Sequence, residues 1–388
     1  MGKKFDIGVN NVARKGKKAW IGVDNVARKI KKMWIGVADK ARLFFGGSEL
    51  KYYGLAPNLS EYTRYGAATT VGDYAIFGGG INYNSNDRLS VTSAYNSKLT
   101  KVSSPDLRTG AFKLAATTVG DYALFCGGEI GSSGSTTSIL TIIDKELTRR
   151  SEYTNAYSAK DLAATTVGDY ALFGGGVNVE SSTATYKKTI YVRDKALTTP
   201  SVALRLGTER SKLAATTVGD YALFGGGSTG GGAASYKDEV TACNKSLTIS
   251  SAPKLSVARD SLAATTVGDY AIFGSGNGMA VTAYEIDVYN SSLTKISVEA
   301  LPDRQSDVAA TTVGDYALFG GGYFSGGSAD VVHVFDKSLT RTLGTPLNQS
   351  RSYHMATTVG DYALFGGGMK RVNNTNTGLN SVEVYCVE

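Results

Sequence analysis

The side chains best suited to catalysis or metal binding are few in this chain of 388 residues. It contains two histidines, His333 and His354, and three cysteines. A copper centre of the radical-oxidase type would need both histidines, a tyrosine and a cysteine at one site. A structural zinc site or a disulfide framework would need more ligands at closer spacing. We therefore expect no catalytic residues, no bound metal and no cofactor.

Each of these side chains falls inside a repeated pattern, which favours a structural role. His333 occupies a position that other repeats fill with Thr or Tyr, and His354 stands where other repeats have Leu. The three cysteines lie in different repeats, too dispersed to pair, and are predicted to be free buried thiols: Cys126, Cys243 and Cys386.

The strands that position these residues are predicted from one sequence, Ala-Thr-Thr-Val-Gly-Asp-Tyr-Ala-(Ile/Leu)-Phe, which recurs seven times. Every copy contains Gly-Asp. Its aspartates stand at positions 73, 121, 169, 220, 269, 315 and 361. A period near fifty without a helical pattern predicts an all-β, seven-bladed β-propeller with one four-stranded blade per repeat. Gly-Asp fits a two-residue hairpin turn, so the seven carboxylates are interpreted as turn residues and not as a metal ring.

The ends of the chain predict how the ring closes. The seventh repeat stops after its third strand, at Glu388, and lacks the Leu-Thr that begins the outer part of the other blades. Residues 49–56, followed by Pro57, match that missing strand. The N-terminal strand is therefore expected to complete blade seven. The six prolines lie between the outer strand and the next inner strand, which is where an exposed edge tolerates them.

These repeats resemble the kelch repeat, whose blades carry a Gly-Gly doublet after the second strand and a Tyr-Asp near the end of the third. The doublet is seen at Gly79-Gly80 and Gly127-Gly128, and variants of the third-strand pattern are Tyr95-Asn96, Tyr289-Asn290 and residues 381–385. The resemblance covers about residues 49–388. The fourth-strand Trp of that repeat is missing, because Trp20 and Trp34 both precede the propeller.

The first 45 residues differ from the rest in charge and in period. They hold 12 of the 41 basic and 3 of the 34 acidic residues, a net charge of +9, whereas the remainder is close to neutral. Ile-Gly-Val begins at positions 7, 21 and 35, which predicts short strands joined by Asn-Asn or Asp-Asn turns. The pattern is similar to the Ile-Gly-Val/Ala-Arg-Lys repeats of phage tail and other virion proteins. That resemblance implies a docking segment, with these expected contacts: Arg14, Trp20, Arg28 and Trp34.

The two faces of the predicted propeller differ in variability. The turns between first and second strands, and between third and fourth, are nearly identical in every blade and share one face, the turn face. The second-to-third loops and the fourth-to-first connections vary and share the other, the variable face. Tyr, Ser, Gly and Asn dominate these loops, as in adaptable binding surfaces, although loops also diverge where nothing constrains them.

Candidate ligand-binding residues follow from that face. One set stands just before each inner strand, at the expected mouth of the channel: Arg64, Phe112, Lys160, Ser211, Asp260, Ser306 and Tyr353. A second set contributes loop aromatics for contact with a glycan or a protein: Tyr83, Tyr186, Tyr236 and Tyr323.

The leading hypothesis is a non-enzymatic phage virion protein, from a tail fibre or associated with the capsid, assembled in the bacterial cytoplasm. Residues 1–45 would dock into other virion proteins as a basic β-repeat segment. Residues 46–388 would form the propeller and bind a host-surface glycan or protein, with homo-oligomers expected in the particle. The alternative is a cytosolic kelch-type scaffold for protein interactions. Neither a membrane span nor nucleic-acid binding is expected, since basic residues alternate with apolar ones and no base-stacking module accompanies them.

Overall fold

The computed structural model describes eight stretches in full and, before them, only the backbone of four short strands. The full stretches are residues 49–131, 134–150, 157–180, 183–230, 235–278, 285–303, 305–324 and 326–388. The chain divides into two compact units, residues 1–49 with residue 388, and residues 50–387.

The four N-terminal strands form two antiparallel hairpins. Trp20–Val23 pairs with Val26–Lys29, and Met33–Val37 pairs with Lys40–Phe45. The fourteen-residue period thus gives short paired strands, as predicted. The expected turn at residues 24–25, and the earlier one at 10–11, lie outside the described residues.

The larger unit is a seven-bladed β-propeller, which confirms the predicted all-β fold. Among the described residues there is no α-helix, and therefore no helix that could cross a membrane. Each blade is an antiparallel sheet whose strands follow chain order from the axis outward, except that the outermost strand of blade seven comes from the N-terminal side of the propeller. The inner strands are Ala67–Val71, Ala115–Val119, Ala163–Val167, Ala214–Val218, Ala263–Val267, Ala309–Val313 and Met355–Val359.

The other strands show that the blades taper outward. The second strands are Tyr74–Gly78, Tyr122–Cys126, Tyr170–Gly174, Tyr221–Gly225, Tyr270–Gly274, Tyr316–Gly320 and Tyr362–Gly366. The third strands are Thr92–Asn96, Leu140–Asp144, Thr189–Asp194, Val240–Asn244, Asp287–Asn290, Val332–Asp336 and Val382–Val387. The outer strands are Lys101–Val102, Leu204–Arg205, Ile249–Ala252, Lys295–Ile296, Arg341–Leu343 and Leu50–Ala56. In blade two the outer position is a single bridge between Ile143 and Arg149.

A closed ring of threonine hydroxyls joins the seven inner strands. The first Thr of each strand lies 2.7–2.8 Å, Oγ1 to Oγ1, from the second Thr of the next blade, as Thr69 does from Thr118. That second Thr donates its only proton to a main-chain carbonyl of the preceding blade, as Thr118 does to Thr70. The first Thr must therefore be the donor in each hydroxyl pair. The repeated Thr-Thr thus fixes the axis of the propeller.

The blades pack through a phenylalanine on each second strand. All seven of these side chains are buried, and each core cluster spans two neighbouring blades. The strand-ending glycine of the preceding blade makes room: a Cβ on Gly174 would stand 2.8 Å from a ring carbon of Phe224. Small residues at this position therefore allow the rings to interlock.

The turn between third and outer strands is longer than the sequence predicted. In blade one the Asn96 side chain accepts hydrogen bonds from the backbone N–H groups of Lys98 and Thr100, both at 3.0 Å. Leu99 between them is left-handed (φ 60°) and buried. Leu-Thr thus ends the turn and does not begin the outer strand, which was expected there.

Blade seven is closed by the N-terminal strand, as predicted. Leu50–Ala56 pairs antiparallel with Val382–Val387, and a register shift lies between Val384 and Tyr385. The Tyr52 hydroxyl donates to a carboxylate oxygen of Glu383 at 3.1 Å. The first and last strands of the propeller therefore share one sheet.

Candidate binding site at the channel mouth

The connections that lead from one blade to the next meet around the axis on the variable face. In each, the residue two positions before the inner strand donates its N–H to the carbonyl of its counterpart in the preceding blade, over 2.7–3.4 Å. Seven such bonds close a ring. We call these the mouth residues: Tyr65, Lys113, Asp161, Lys212, Ser261, Asp307 and Tyr353.

All seven mouth residues have left-handed backbone, with φ between 52° and 59°. For a residue other than glycine this conformation costs about 1–2 kcal/mol. The ring of hydrogen bonds explains the backbone angle, because each mouth residue must reach both of its neighbours. It does not explain why the positions hold Tyr, Lys, Asp and Ser in place of Gly or Asn.

A second ring of backbone bonds holds the connections down. The N–H of the second glycine in each doublet, which is Ser275-Gly276 in blade five and Gly-Gly in the others, donates to a carbonyl of the following connection at 2.7–2.8 Å. A Cβ on the first glycine would collide there, as one on Gly79 would lie 2.8 Å from the carbonyl oxygen of Ala111. The doublets that suggested the kelch repeat therefore anchor the mouth.

The mouth opens into a cavity of about 380 Å³ on the axis. Lys113 lies 3.8 Å from Asp161, and Lys212 lies 3.9 Å from Asp260. Burial raises the pKa of Asp307 to about 6, although a hydrogen bond from the Ser306 hydroxyl opposes that shift. Burial likewise raises the pKa of Asp161, against the nearby lysines. One arc of the mouth, from blade three to blade six, is thus polar and rich in carboxylates.

The opposite arc is aromatic and cationic. The Tyr353 and Tyr65 rings have centroids 4.5 Å apart, and Tyr65 lies 6.2 Å from Phe112. The Lys113 ammonium lies 5.7 Å from the Tyr65 centroid and 5.6 Å from that of Phe112. The Arg64 guanidinium lies 5.5 Å from the Tyr65 centroid. Blades seven, one and two therefore present neighbouring, tilted aromatic rings and positive charge at one side of the mouth.

Three of the variable loops are β-hairpins, where the sequence predicted irregular loops. They are Val177–Glu180 with Thr183–Tyr186, Tyr323–Phe324 with Gly327–Ser328, and Met369–Val372 with Thr375–Gly378. The hairpins of blades six and seven contact each other, since the Ser328 hydroxyl accepts from the N–H of Arg371 at 3.0 Å.

The predicted mouth residues were one position too early in six of the seven blades. Only Tyr353 is a mouth residue; the others precede one. Their backbones bridge to the second-to-third loops, as Phe112 does to Glu129 and Lys160 to Val177, and these six residues lie beside the residues that line the cavity. In these six blades the mouth residue is the one that directly follows the predicted residue. The six predicted residues are Arg64, Phe112, Lys160, Ser211, Asp260 and Ser306.

Two of the predicted charged residues are engaged inside the protein. Lys160 and Glu129 form an ion pair of 2.5 Å, and both side chains are largely buried. Asp260 is 5% exposed and accepts a hydrogen bond of 2.7 Å from the Ser228 hydroxyl. These side chains support loops beside the mouth.

The predicted loop tyrosines fall into two groups. The Tyr83 ring lies 5.6 Å from the Arg64 guanidinium, and the Tyr323 ring lies 5.7 Å from that of Arg371, so both lie near the aromatic arc. Tyr186 places its hydroxyl against Gly230 of the neighbouring loop. Tyr236 bridges Ser228 through its backbone. The latter two belong to blades three and four, apart from the aromatic arc.

Sequence reasoning missed most of the mouth residues, together with Arg88 and Arg371. The signal for the mouth was available, because in all seven repeats the position two residues before the inner strand varies in type. The missed residues are Tyr65, Lys113, Asp161, Lys212, Ser261 and Asp307. The residue before each mouth residue pairs with a second-to-third loop, and this pairing could be seen only in the structure.

The histidines and cysteines lie in separate places. His333 is fully buried opposite Phe319, and burial lowers its pKa to about 4. His354 packs beside Phe365 with its pKa lowered by burial. The three cysteines are free and buried, as predicted. Among the described residues no group of three His, Cys, Asp or Glu is arranged to hold a metal ion.

The predicted docking residues lie in the N-terminal unit. Trp20, Arg28 and Trp34 fall on the short strands described above, and Arg14 lies outside the described residues.

Comparison with known proteins supports the fold alone. No protein-family model matches the chain, and no curated protein matches it. A solved structure described as "Structure of YjhT" is similar, with a TM-score of 0.53 at 12% sequence identity. The match covers 84% of this chain and 96% of that one. At this identity the likeness is to the propeller fold.

Proposed function

We propose that this chain is a non-enzymatic virion protein whose propeller binds a host-surface glycan or protein through the variable face. Residues 1–45 dock into other virion proteins in this proposal, and the propeller is a member of the kelch type. The observation that carries the binding role is the mouth, where one backbone ring displays four residue types at seven equivalent positions.

The diversity of the mouth supports recognition because it is maintained against a conformational cost. Lys113, Asp161 and Tyr353 share a backbone conformation that glycine adopts more easily. Different side chains at equivalent points give an asymmetric set of contacts around one cavity. Such a set suits an asymmetric ligand, whereas seven identical residues would suit an ion on the axis.

The chemistry of the histidines supports the non-enzymatic part of the proposal. His333 and His354 are both buried, His354 beside Phe365 at the cavity wall, and burial favours the neutral form of each. Neither is placed to act with the other as an acid and base pair on a ligand in the mouth, since His333 lies within the sheet of blade six.

The virion assignment rests on the N-terminal segment. Its net charge of +9 and its fourteen-residue period are distinct from the propeller, and the period corresponds to short hairpins. Mass spectrometry of purified particles from the source organism tests it. Recovery of the chain in particles is expected; recovery only in the soluble cell fraction would favour a cytosolic scaffold.

The binding face is tested with labelled protein and host cells. Tyr65→Ala with Tyr353→Ala should reduce cell binding at least tenfold, since both rings border the cavity. Asp121→Ala with Lys145→Ala is the matched control, because that exposed 2.8 Å ion pair lies on the turn face. Equal loss in both double variants, with both still folded, would contradict the assignment of the face.

A further inference from the structure

We propose that the aromatic arc of the mouth is a subsite for an acidic sugar, a pyranose ring that bears one carboxylate or one ester phosphate. This inference rests on the proposed binding function and names its ligand class. The subsite, which we call the crescent, consists of Arg64, Tyr65, Arg88, Phe112, Lys113 and Tyr353.

The first argument is unbalanced positive charge. Arg64 and Arg88 form no ion pair with any carboxylate of the described residues. The Arg64 guanidinium contacts the Met369 sulfur at 3.5 Å, and Arg88 donates to the carbonyl oxygen of Asn86 at 3.0 Å.

Other arginines of the propeller show what a structural guanidinium looks like in this chain. Arg210, Arg259 and Arg351 are fully buried, and each pairs with a carboxylate, as Arg259 does with Asp287 at 2.8 Å. The crescent arginines lack such a partner and are partly exposed. Arg64 contacts Tyr65, which lines the cavity, and Arg88 lies over Phe112 next to it. An oxyanion supplied from outside would complete them, because guanidinium groups bind carboxylate and phosphate with strong directional hydrogen bonds.

The second argument is a surface for stacking. Tyr353 and Tyr65 lie side by side with ring planes 38° apart, and Phe112 continues the row in the next blade. The cations lie over these rings at 5.4–5.7 Å and hold them in place. A row of tilted aromatic rings next to positive charge suits a ring-shaped ligand with an acidic substituent.

The opposite, polar arc of the mouth offers hydrogen-bond acceptors to the same ligand. Asp161, Asp307 and Ser261 line the same cavity and provide acceptors for sugar hydroxyl groups. The two carboxylates would repel a polyanion that filled the cavity, so an extended nucleic acid fits less well than a compact ligand with one negative group. The asymmetric charge also orients that ligand, with its acidic group toward Arg64.

The test uses the full-length protein and an array of saccharides in matched pairs. Each pair has the same oligosaccharide with a terminal uronic acid or with the neutral hexose, and a third form carries hexose 6-phosphate. Acidic members should bind at least tenfold more tightly than their neutral counterparts, and the carboxylate and phosphate forms show which oxyanion is preferred. Tightest binding by a single-stranded oligonucleotide would overturn the proposal.

Variants then locate the site. Arg64→Gln with Arg88→Gln should reduce affinity for the acidic members about tenfold to a hundredfold and leave neutral saccharides unaffected. Arg205→Gln with Lys98→Gln removes two charges at exposed positions and is the control for net charge. Melting temperatures establish that each variant is folded.

The outcomes separate this inference from the proposed function. Tight binding of neutral saccharides, or host binding that depends on the variable face while no acidic saccharide is preferred, would overturn the acidic-sugar subsite and leave the binding face intact. Preference for acidic saccharides that survives the double variant would place the site elsewhere. Host binding lost only through turn-face variants would contradict both.

Discussion

Two sets of residues in this propeller share the same unusual backbone conformation and differ in everything else. On the turn face, six leucines have φ near 60°, one in each blade with a complete turn; on the variable face, the seven mouth residues have φ between 52° and 59°. The leucines are identical because their side chains pack into the core between blades, as Leu99 and Leu197 do. The mouth residues vary because only their backbone serves the ring.

This comparison separates structural from functional strain. Both sets pay the cost of left-handed backbone, but hydrophobic burial compensates the leucines. At the mouth, Lys113 lies 3.8 Å from Asp161 and the Tyr65 ring contacts that of Tyr353, but contacts between polar, partly exposed side chains compensate less than the burial of a leucine. A residue type held there despite its cost therefore points to contacts made with something outside the chain.

The largest loss of stability is expected from breaking a buried ion pair that joins a connection of the variable face to a blade. Arg351 and Glu383 are both fully buried and lie 2.5 Å apart. Glu383→Gln leaves a buried guanidinium without a carboxylate, so the free energy of unfolding should fall by about 3–5 kcal/mol. Denaturant unfolding measures this. Recovery in the double variant with Arg351→Met is expected, and a Glu383→Gln variant as stable as the parent would exclude the ion pair as an anchor.

The next effect tests the comparison directly. Leu99→Ala removes a buried side chain from the turn face and should lower the free energy of unfolding by about 2–4 kcal/mol. Ser261→Ala changes a mouth residue with the same backbone angle and should cost less than about 0.5 kcal/mol. Equal losses at the two positions would mean that the mouth residues are also structural.

A pH dependence should distinguish the carboxylate arc. The pKa of Asp307 is raised from 3.8 to about 6 in the folded protein. Its contribution to stability is therefore present below pH 4 and is lost as the pH rises through 6. Asp307→Asn should flatten the melting temperature between pH 4 and 7, whereas the neutral control Ser261→Ala should retain the slope of the parent. An unchanged slope in Asp307→Asn would show that another group causes it.

The smallest effect concerns the one blade whose doublet departs from Gly-Gly. Ser275 is fully buried at φ 64°, and its hydroxyl lacks a hydrogen-bond partner. At the equivalent Gly226 of blade four, an added Cβ would lie 2.7 Å from the carbonyl oxygen of Arg259 and 3.0 Å from Leu262. Ser275→Gly should raise the free energy of unfolding by about 1 kcal/mol, and Gly226→Ser should lower it. A lower melting temperature for Ser275→Gly would contradict this account.

The sequence predicted the architecture well because the repeats state it seven times. The blade count, the strand order and the closure by residues 49–56 all followed from the Thr-Thr-Val-Gly-Asp string and from the missing Leu-Thr of the last repeat. The Leu99 turn was misplaced, because a left-handed Leu is determined by packing between blades and has no local sequence signal.

The mouth was predicted in position and missed in detail. From the sequence, Arg64 is assigned to the mouth where the structure has Tyr65, and Lys160 where it has Asp161. In extended backbone, a shift of one residue changes which side chain faces a given side. The hydrogen bonds that decide the register join different blades and cannot be read from one repeat. The crescent likewise needs Arg88 and Phe112 from distant positions, which only the ring brings together.

The most direct test of the binding face is hydrogen exchange of the full-length protein with and without bound host-surface extract. The account predicts protection at the mouth, in the connections around Tyr65, Lys113 and Tyr353, and in the hairpin that contains Arg371. The turns at Asp121 and Asp169 should exchange as they do in the free protein. Protection of those turns, with the mouth unchanged, would contradict the central claim that the variable face carries the function.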